Sequence, residues 1–155
     1  MAKKSKMTNF IVKGISAVCA FLASMMLICP LYLNKVGSAN LFDCLDHTEE
    51  LFDLYGTSYA MMTIVFAIVF FVGLIMAVMF ILNMFLNNKL IDKILVIVGV
   101  AFALLAVAGL ICTFVFCGTD IAKLANWGVG VGAILATIFA VASCAMTFAE
   151  KSLCK

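Results

Sequence analysis

One histidine, His47, is all the chain offers as an acid–base group near neutral pH or as an imidazole ligand. Asp43, Cys44 and Glu50 stand around it at spacings that a helix brings to roughly one side, which is how a metal site is assembled. The donor set is mismatched, because carboxylates suit hard cations while a thiolate suits soft ones. In helical projection Cys44 also turns toward an apolar face. The expectation is a solvated histidine on an acidic helix, with no metal, no cofactor and no catalytic residue. An enzyme needs a base, nucleophile or metal gathered in a cleft, and the carboxylates of this chain all flank its apolar runs. The reading is therefore non-enzymatic.

Seven cysteines form the other reactive set. Cys19, Cys112 and Cys144 fall inside apolar runs, where a thiol behaves as a small hydrophobe, and Cys154 lies in the tail. Cys29, Cys44 and Cys117 fall near the face expected to be extracellular, where a disulfide persists. Cys44 with Cys117 is the candidate disulfide, with separate thiols as the alternative. No CxxC dithiol motif is present. Gly128-Val129-Gly130-Val131-Gly132 has the glycine density of a dinucleotide loop or a cation filter, but no strand pattern precedes it and the filter's Thr and Tyr are missing. Spacing favours packing instead: Gly128, Gly132, Ala136, Ala140 and Cys144 recur every fourth residue, a small-residue stripe that lets helix backbones approach.

The elements that must position these residues follow from composition. The 155 residues are 66% hydrophobic and 12% charged, far from the roughly 45–50% and 25% of soluble domains. A sphere of this size leaves much of that apolar area exposed, so lipid is the expected solvent. Four uncharged stretches, Gly14 to Asn34, Leu54 to Asn88, Ile94 to Thr119 and Leu124 to Ala149, are each long enough for the roughly 20 residues that cross a bilayer core as helix. No sustained period-2 alternation supports a barrel. The expected fold is an all-α integral membrane protein, a four-transmembrane-helix antiparallel bundle with spans at about 10–34, 59–87, 93–118 and 124–149. The outer loops are expected at 35–58 and 118–126, and the inner loop at 87–93. A single domain without internal repeats is expected. A cleaved secretory signal is the alternative for the first span, since Lys3, Lys4, Lys6 and Lys13 precede it and Val36-Gly37-Ser38-Ala39 follow. Its apolar run reaches Leu33, too long for a signal core, and favours a retained helix.

Orientation comes from the lysines. With an inner N-terminus, eight of the ten face the cytoplasm beside Asp92 and Glu150. Six acids, Asp43, Asp46, Glu49, Glu50, Asp53 and Asp120, then face outward with Lys35 and Lys123. Tyr32, Tyr55, Tyr59 and Trp127 fall at the outer ends, where amphipathic rings favour the headgroup layer. Both termini are expected in the cytoplasm of a plasma-membrane protein. Asn83, Asn87 and Asn88 read as an ordinary inner helix terminus, and Pro30 as a kink or stop in the first helix.

Within the first outer loop, residues 40–55 read as an amphipathic helix capped by Asn40, with Leu41, Cys44, Leu45, Leu51, Phe52 and Tyr55 on one face. Asp43, Asp46, Glu49, Glu50 and Asp53 make its other face acidic. The layout is similar to that of claudin-type tetraspan proteins. Their first loop is rich in Trp and holds two cysteines, whereas this one has no Trp and only Cys44, so no residue role is carried over. The expected partners are the bilayer and a membrane-protein partner or a second copy. A net charge of +2 without a basic face argues against nucleic acid. The functional expectation is a tetraspan protein acting by lateral or extracellular association, as scaffold, accessory subunit or adhesion or immunity-type factor. The alternative is a small oligomeric channel or transporter whose acidic loop funnels cations.

Overall fold

The computed structural model describes residues 2–33, 37–47, 49, 53, 56–124 and 126–153, with the side chains of 2–5, 151 and 153 left aside. Four helices within them are long and apolar enough to cross a membrane: α1 (Ala2–Met25, extended by a 3-10 turn at Met26–Ile28), α3 (Thr57–Leu86), α4 (Lys89–Cys117) and α6 (Val131–Leu153). Short helices α2 (Leu41–Asp46) and α5 (Asp120–Leu124) occupy the connections. The first long helix stops ahead of Pro30, whose ring cannot donate to a helical ladder, so the span expected at 10–34 ends earlier.

Three two-residue strands, absent from the all-α expectation, are paired antiparallel in the order β2-β1-β3. They are β1 (Tyr32–Leu33), β2 (Ser38–Ala39) and β3 (Gly128–Val129). Tyr32 faces Ala39 on one side and Val129 on the other. The last long helix accordingly begins at Val131, later than its expected start near 124.

The long helices form a ring in which α1 and α4 each pack on both α3 and α6. Small residues set the spacing. Ala20 and Ser24 of α1 meet Gly73 of α3 so closely that a Cβ on Gly73 would lie 2.1 Å from Ser24 Oγ. The Ser24 hydroxyl donates to the Phe70 carbonyl at 2.9 Å, the Thr137 hydroxyl to Ala106 at 3.2 Å, and the Ser143 hydroxyl to Ser16 at 3.1 Å. Each joins two helices, which matters where no hydrophobic drive operates between them. Phe66, Phe80, Phe102, Met62 and Met76 fill the centre and are fully buried, whereas Phe71 and Phe85 face outward. Of the small-residue stripe, Gly132, Ala136 and Ala140 are buried within the chain, Cys144 is half-buried, and Gly128 belongs to a strand.

Candidate functional site

Two groupings at opposite ends of the ring hold the chemistry. The first surrounds Lys13, which follows Phe10-Ile11-Val12 on α1 and is 1% exposed. Its ammonium lies 3.0 Å from Asp92 Oδ1 of α4 and 3.6 Å from Glu150 Oε1 of α6, and donates to Asn87 Oδ1 beside α3 at 3.3 Å. All four long helices therefore meet at one cation. Expected at the cytoplasmic edge of the first span, Lys13 is inside the bundle and is matched by both acids.

The turn between α3 and α4 builds this arrangement. Asn87 adopts the left-handed conformation, φ +48°, that asparagine tolerates better than most residues, and ends α3. Asn88 caps α4, its Oδ1 accepting from the Leu90 amide at 2.9 Å. Asn83 is fully buried one turn earlier; its Oδ1 accepts from the Asn88 amide at 2.9 Å, and its Nδ2 donates to Asp92. Asn83 thus couples the turn to the ion cluster, beyond the ordinary terminus expected of these asparagines. Asp92 sits in the first turn of α4, where the helix dipole favours an anion. Glu150 sits near the end of α6, where the dipole opposes one, so Lys13 is its compensation.

The opposite end is aromatic. Tyr32 and Tyr59 are stacked with centroids 6.1 Å apart, Phe116 lies 5.1 Å from Tyr32, and Trp127 meets Tyr32 edge-on at 5.7 Å. Tyr32 and Tyr59 are 1% and 2% exposed, so these two rings pack inside the end of the bundle and turn no face outward. The Tyr32 hydroxyl donates to the Met62 sulfur, and burial pushes its pKa far above the ordinary phenol value. Beside it β1, β2 and β3 join both loops of this end. The Leu31 amide donates to the Ala39 carbonyl at 2.8 Å and the Gly130 amide to the Leu31 carbonyl at 2.7 Å.

The glycines here answer to space. A Cβ on Gly130 would stand 2.1 Å from Pro30 O, and one on Gly132 would stand 2.6 Å from Cys29 O and 2.7 Å from Met26 O. The Gly-Val-Gly-Val-Gly run is a strand followed by a close backbone crossing, not the opening of one continuous helical stripe.

Asn40 caps α2 through a capping box, accepting from the Phe42 and Asp43 amides while Asp43 accepts from its own. Leu41 and Cys44 face inward, whereas Leu45, expected on the apolar face, is exposed. Phe42, outside the expected apolar face, rests edge-on against Phe70 at 5.5 Å. Asp43, Asp46, Glu49 and Asp53 are exposed. Glu50 lies outside the described residues, as do Leu51, Phe52 and Tyr55 of the expected apolar face.

His47 ends α2 with Nδ1 3.1 Å from the Asp43 carbonyl, while Cys44 points the other way into the core. Among the described residues no three His, Cys, Asp or Glu side chains gather as a metal would require. Cys44 and Cys117 are both thiols. Burial pushes the Cys44 thiol up to about 11, so it is a poor nucleophile at neutral pH. Comparison with models of known families, with curated proteins and with solved structures gives no match.

Proposed function

We propose that the chain is an antiparallel four-transmembrane-helix protein of the plasma membrane that acts by association, as a scaffold, accessory subunit or adhesion or immunity-type factor. Both termini are cytoplasmic in this reading. The antiparallel order is supported by the two end groupings: Lys13, Asn83, Asp92 and Glu150 at one end, Tyr32, Tyr59, Phe116 and Trp127 at the other. The lysine-rich end is the inner one by the charge rule.

The observation that carries the functional reading is the filled interior. Fully buried phenylalanines and methionines occupy the middle of the ring, and its buried cation is paired at one end. A conducting or transporting bundle needs a polar path or ionisable groups lining its middle. The surface left for work is the outer sheet with the acidic α2 beside it, together with the apolar helix faces.

Size measurement in mild detergent tests this. The expected result is an assembly larger than one chain, with another membrane protein or a second copy. Changing Asp43, Asp46, Glu49 and Asp53 to their amides is expected to lower its recovery at least several-fold without altering helix content. Cation flux into reconstituted vesicles that falls on the same neutralisation would overturn the reading in favour of an oligomeric channel.

A further inference from the structure

Next to the ion cluster, between α1 and α3, lies a cavity of about 250 Å³ lined by Lys6, Asn9, Phe10, Lys13, Met84, Phe85 and Asn87. Among the described residues its ionisable groups are two lysines, with no acid on its wall. Lys13 is spoken for by Asp92 and Glu150, but Lys6 is exposed and has no ion-pair partner among the described residues. Asn9 Oδ1 is buried with no hydrogen-bond partner among the described residues. A buried acceptor left so is costly and calls for a donor.

Directly along the same two helices runs an apolar groove of about 740 Å³, sharing Met84 with the polar cavity and starting at Gly14, the residue after Lys13. Gly14, Ala17 and Ala77 give it a shallow floor, the two alanines each 5% exposed. Val18, Phe21, Val78 and Ile81 form its outward-facing walls. Phe10 and Phe85, edge to face at 6.3 Å, stand at the polar cavity. A cationic and hydrogen-bonding pocket continuous with a long apolar trough is amphipathic in the sense of a lipid. A protein helix would fill the trough but leave Lys6 and Asn9 unanswered.

We propose that this crevice is a binding site for one glycerophospholipid of the inner leaflet, with the phosphate beside Lys6, a headgroup hydroxyl or ammonium donating to Asn9 Oδ1, and an acyl chain in the α1–α3 groove. The proposal rests on the membrane-spanning and sidedness parts of the reading above and not on its association partner. Basic pockets between helices on the cytoplasmic side are suited to anionic headgroups. A headgroup that is both anionic and a hydroxyl donor, as in phosphatidylglycerol, satisfies both groups at once, while phosphatidylcholine brings neither net charge nor donor.

The test begins with alkaline carbonate washing of membranes, then native mass measurement of the full chain in detergent with equal phosphatidylglycerol and phosphatidylcholine of the same chains. The wild-type protein is expected to stay in the membrane and retain one phosphatidylglycerol at least ten-fold over phosphatidylcholine. Lys6→Glu abolishes the preference. Val78→Trp, at an exposed wall, removes the bound lipid of either kind with thermal unfolding unchanged. A chain washed out by carbonate overturns the membrane reading and this site with it. A chain that stays, but retains both lipids alike or gives the same preference in all three proteins, overturns the lipid site alone. So does a Val78→Trp protein that loses a dimer mass in place of a lipid mass, since the trough would then hold a second copy.

Discussion

Removing both acids from the Lys13 cluster, as Asp92→Asn with Glu150→Gln, is expected to destabilise the bundle by about 3–5 kcal/mol, because it strands a buried ammonium without a counter-charge. Lys13→Met alone is expected to cost less, about 2–3 kcal/mol, since the side chains of Asp92 and Glu150 are 32% and 15% exposed and recover some hydration. The triple variant, Lys13→Met with both acid changes, is expected to return to within about 1 kcal/mol of the parent, as replaced buried ion pairs often do. Thermal unfolding in detergent micelles reads all four proteins. The non-additivity is the signature of one coupled unit. If each change simply added to the last, the three groups would be acting as independent surface charges and the cluster would have no joint role.

Gly130→Ala and Gly132→Ala form the second series with a large expected effect. The new methyl of the first would meet Pro30 O at 2.1 Å and that of the second Cys29 O at 2.6 Å, backbone atoms that cannot swing aside as a side-chain tip does. Forced overpacking typically costs 1–3 kcal/mol; with backbone on the receiving side we expect about 3 kcal/mol or more at both positions, and more at Gly130. Two controls share the chemistry without the clash. A Cβ at Gly128 has its nearest neighbour at 3.6 Å, and one at Gly99 meets Met76 Cε at the same distance. Gly128→Ala is expected to change stability by less than about 1 kcal/mol, and Gly99→Ala to be neutral or stabilising, because alanine is favoured over glycine within a helix by about that amount. Proteolysis should separate the pairs: Gly130→Ala and Gly132→Ala open the first loop to cleavage, and the controls do not. Equal behaviour of all four would show that the crossing near Pro30 does not anchor the loops.

The long helices were legible in the chain because lipid-compatible segments need only length and the absence of charge, both local properties. Their closest contacts were legible in part. Ala20, Ser24, Ala136 and Ala140 announce tight packing by small size at helical spacing. What escaped a single sequence is pairing between distant positions. Lys13, Asp92 and Glu150 each border an apolar run, where an unpaired charge marks the membrane edge; only the folded ring brings them together. A local hint was present, since Lys13 follows apolar residues of its own span and Asn83 interrupts an otherwise apolar turn of α3. The sheet was hidden for a similar reason. Two-residue strands are too short to carry an alternating pattern, and Gly128-Val129 matters only because Tyr32 and Leu33 lie opposite. Tyr32 and Tyr59 were expected at headgroup level by residue type; burial against Phe116 and Trp127 depended on the ends of four separate elements meeting.

The sidedness of the bundle is the claim on which both the association surface and the lipid site depend. Protease protection measures it most directly: a protease site inserted beside Gly37, where a Cβ would have nothing within 4 Å, and an epitope at the C-terminus, each probed in intact cells and after lysis. The predicted result is cleavage at Gly37 in intact cells with the C-terminal epitope protected until lysis. Protection of the Gly37 site, or loss of the C-terminal epitope in intact cells, would contradict it.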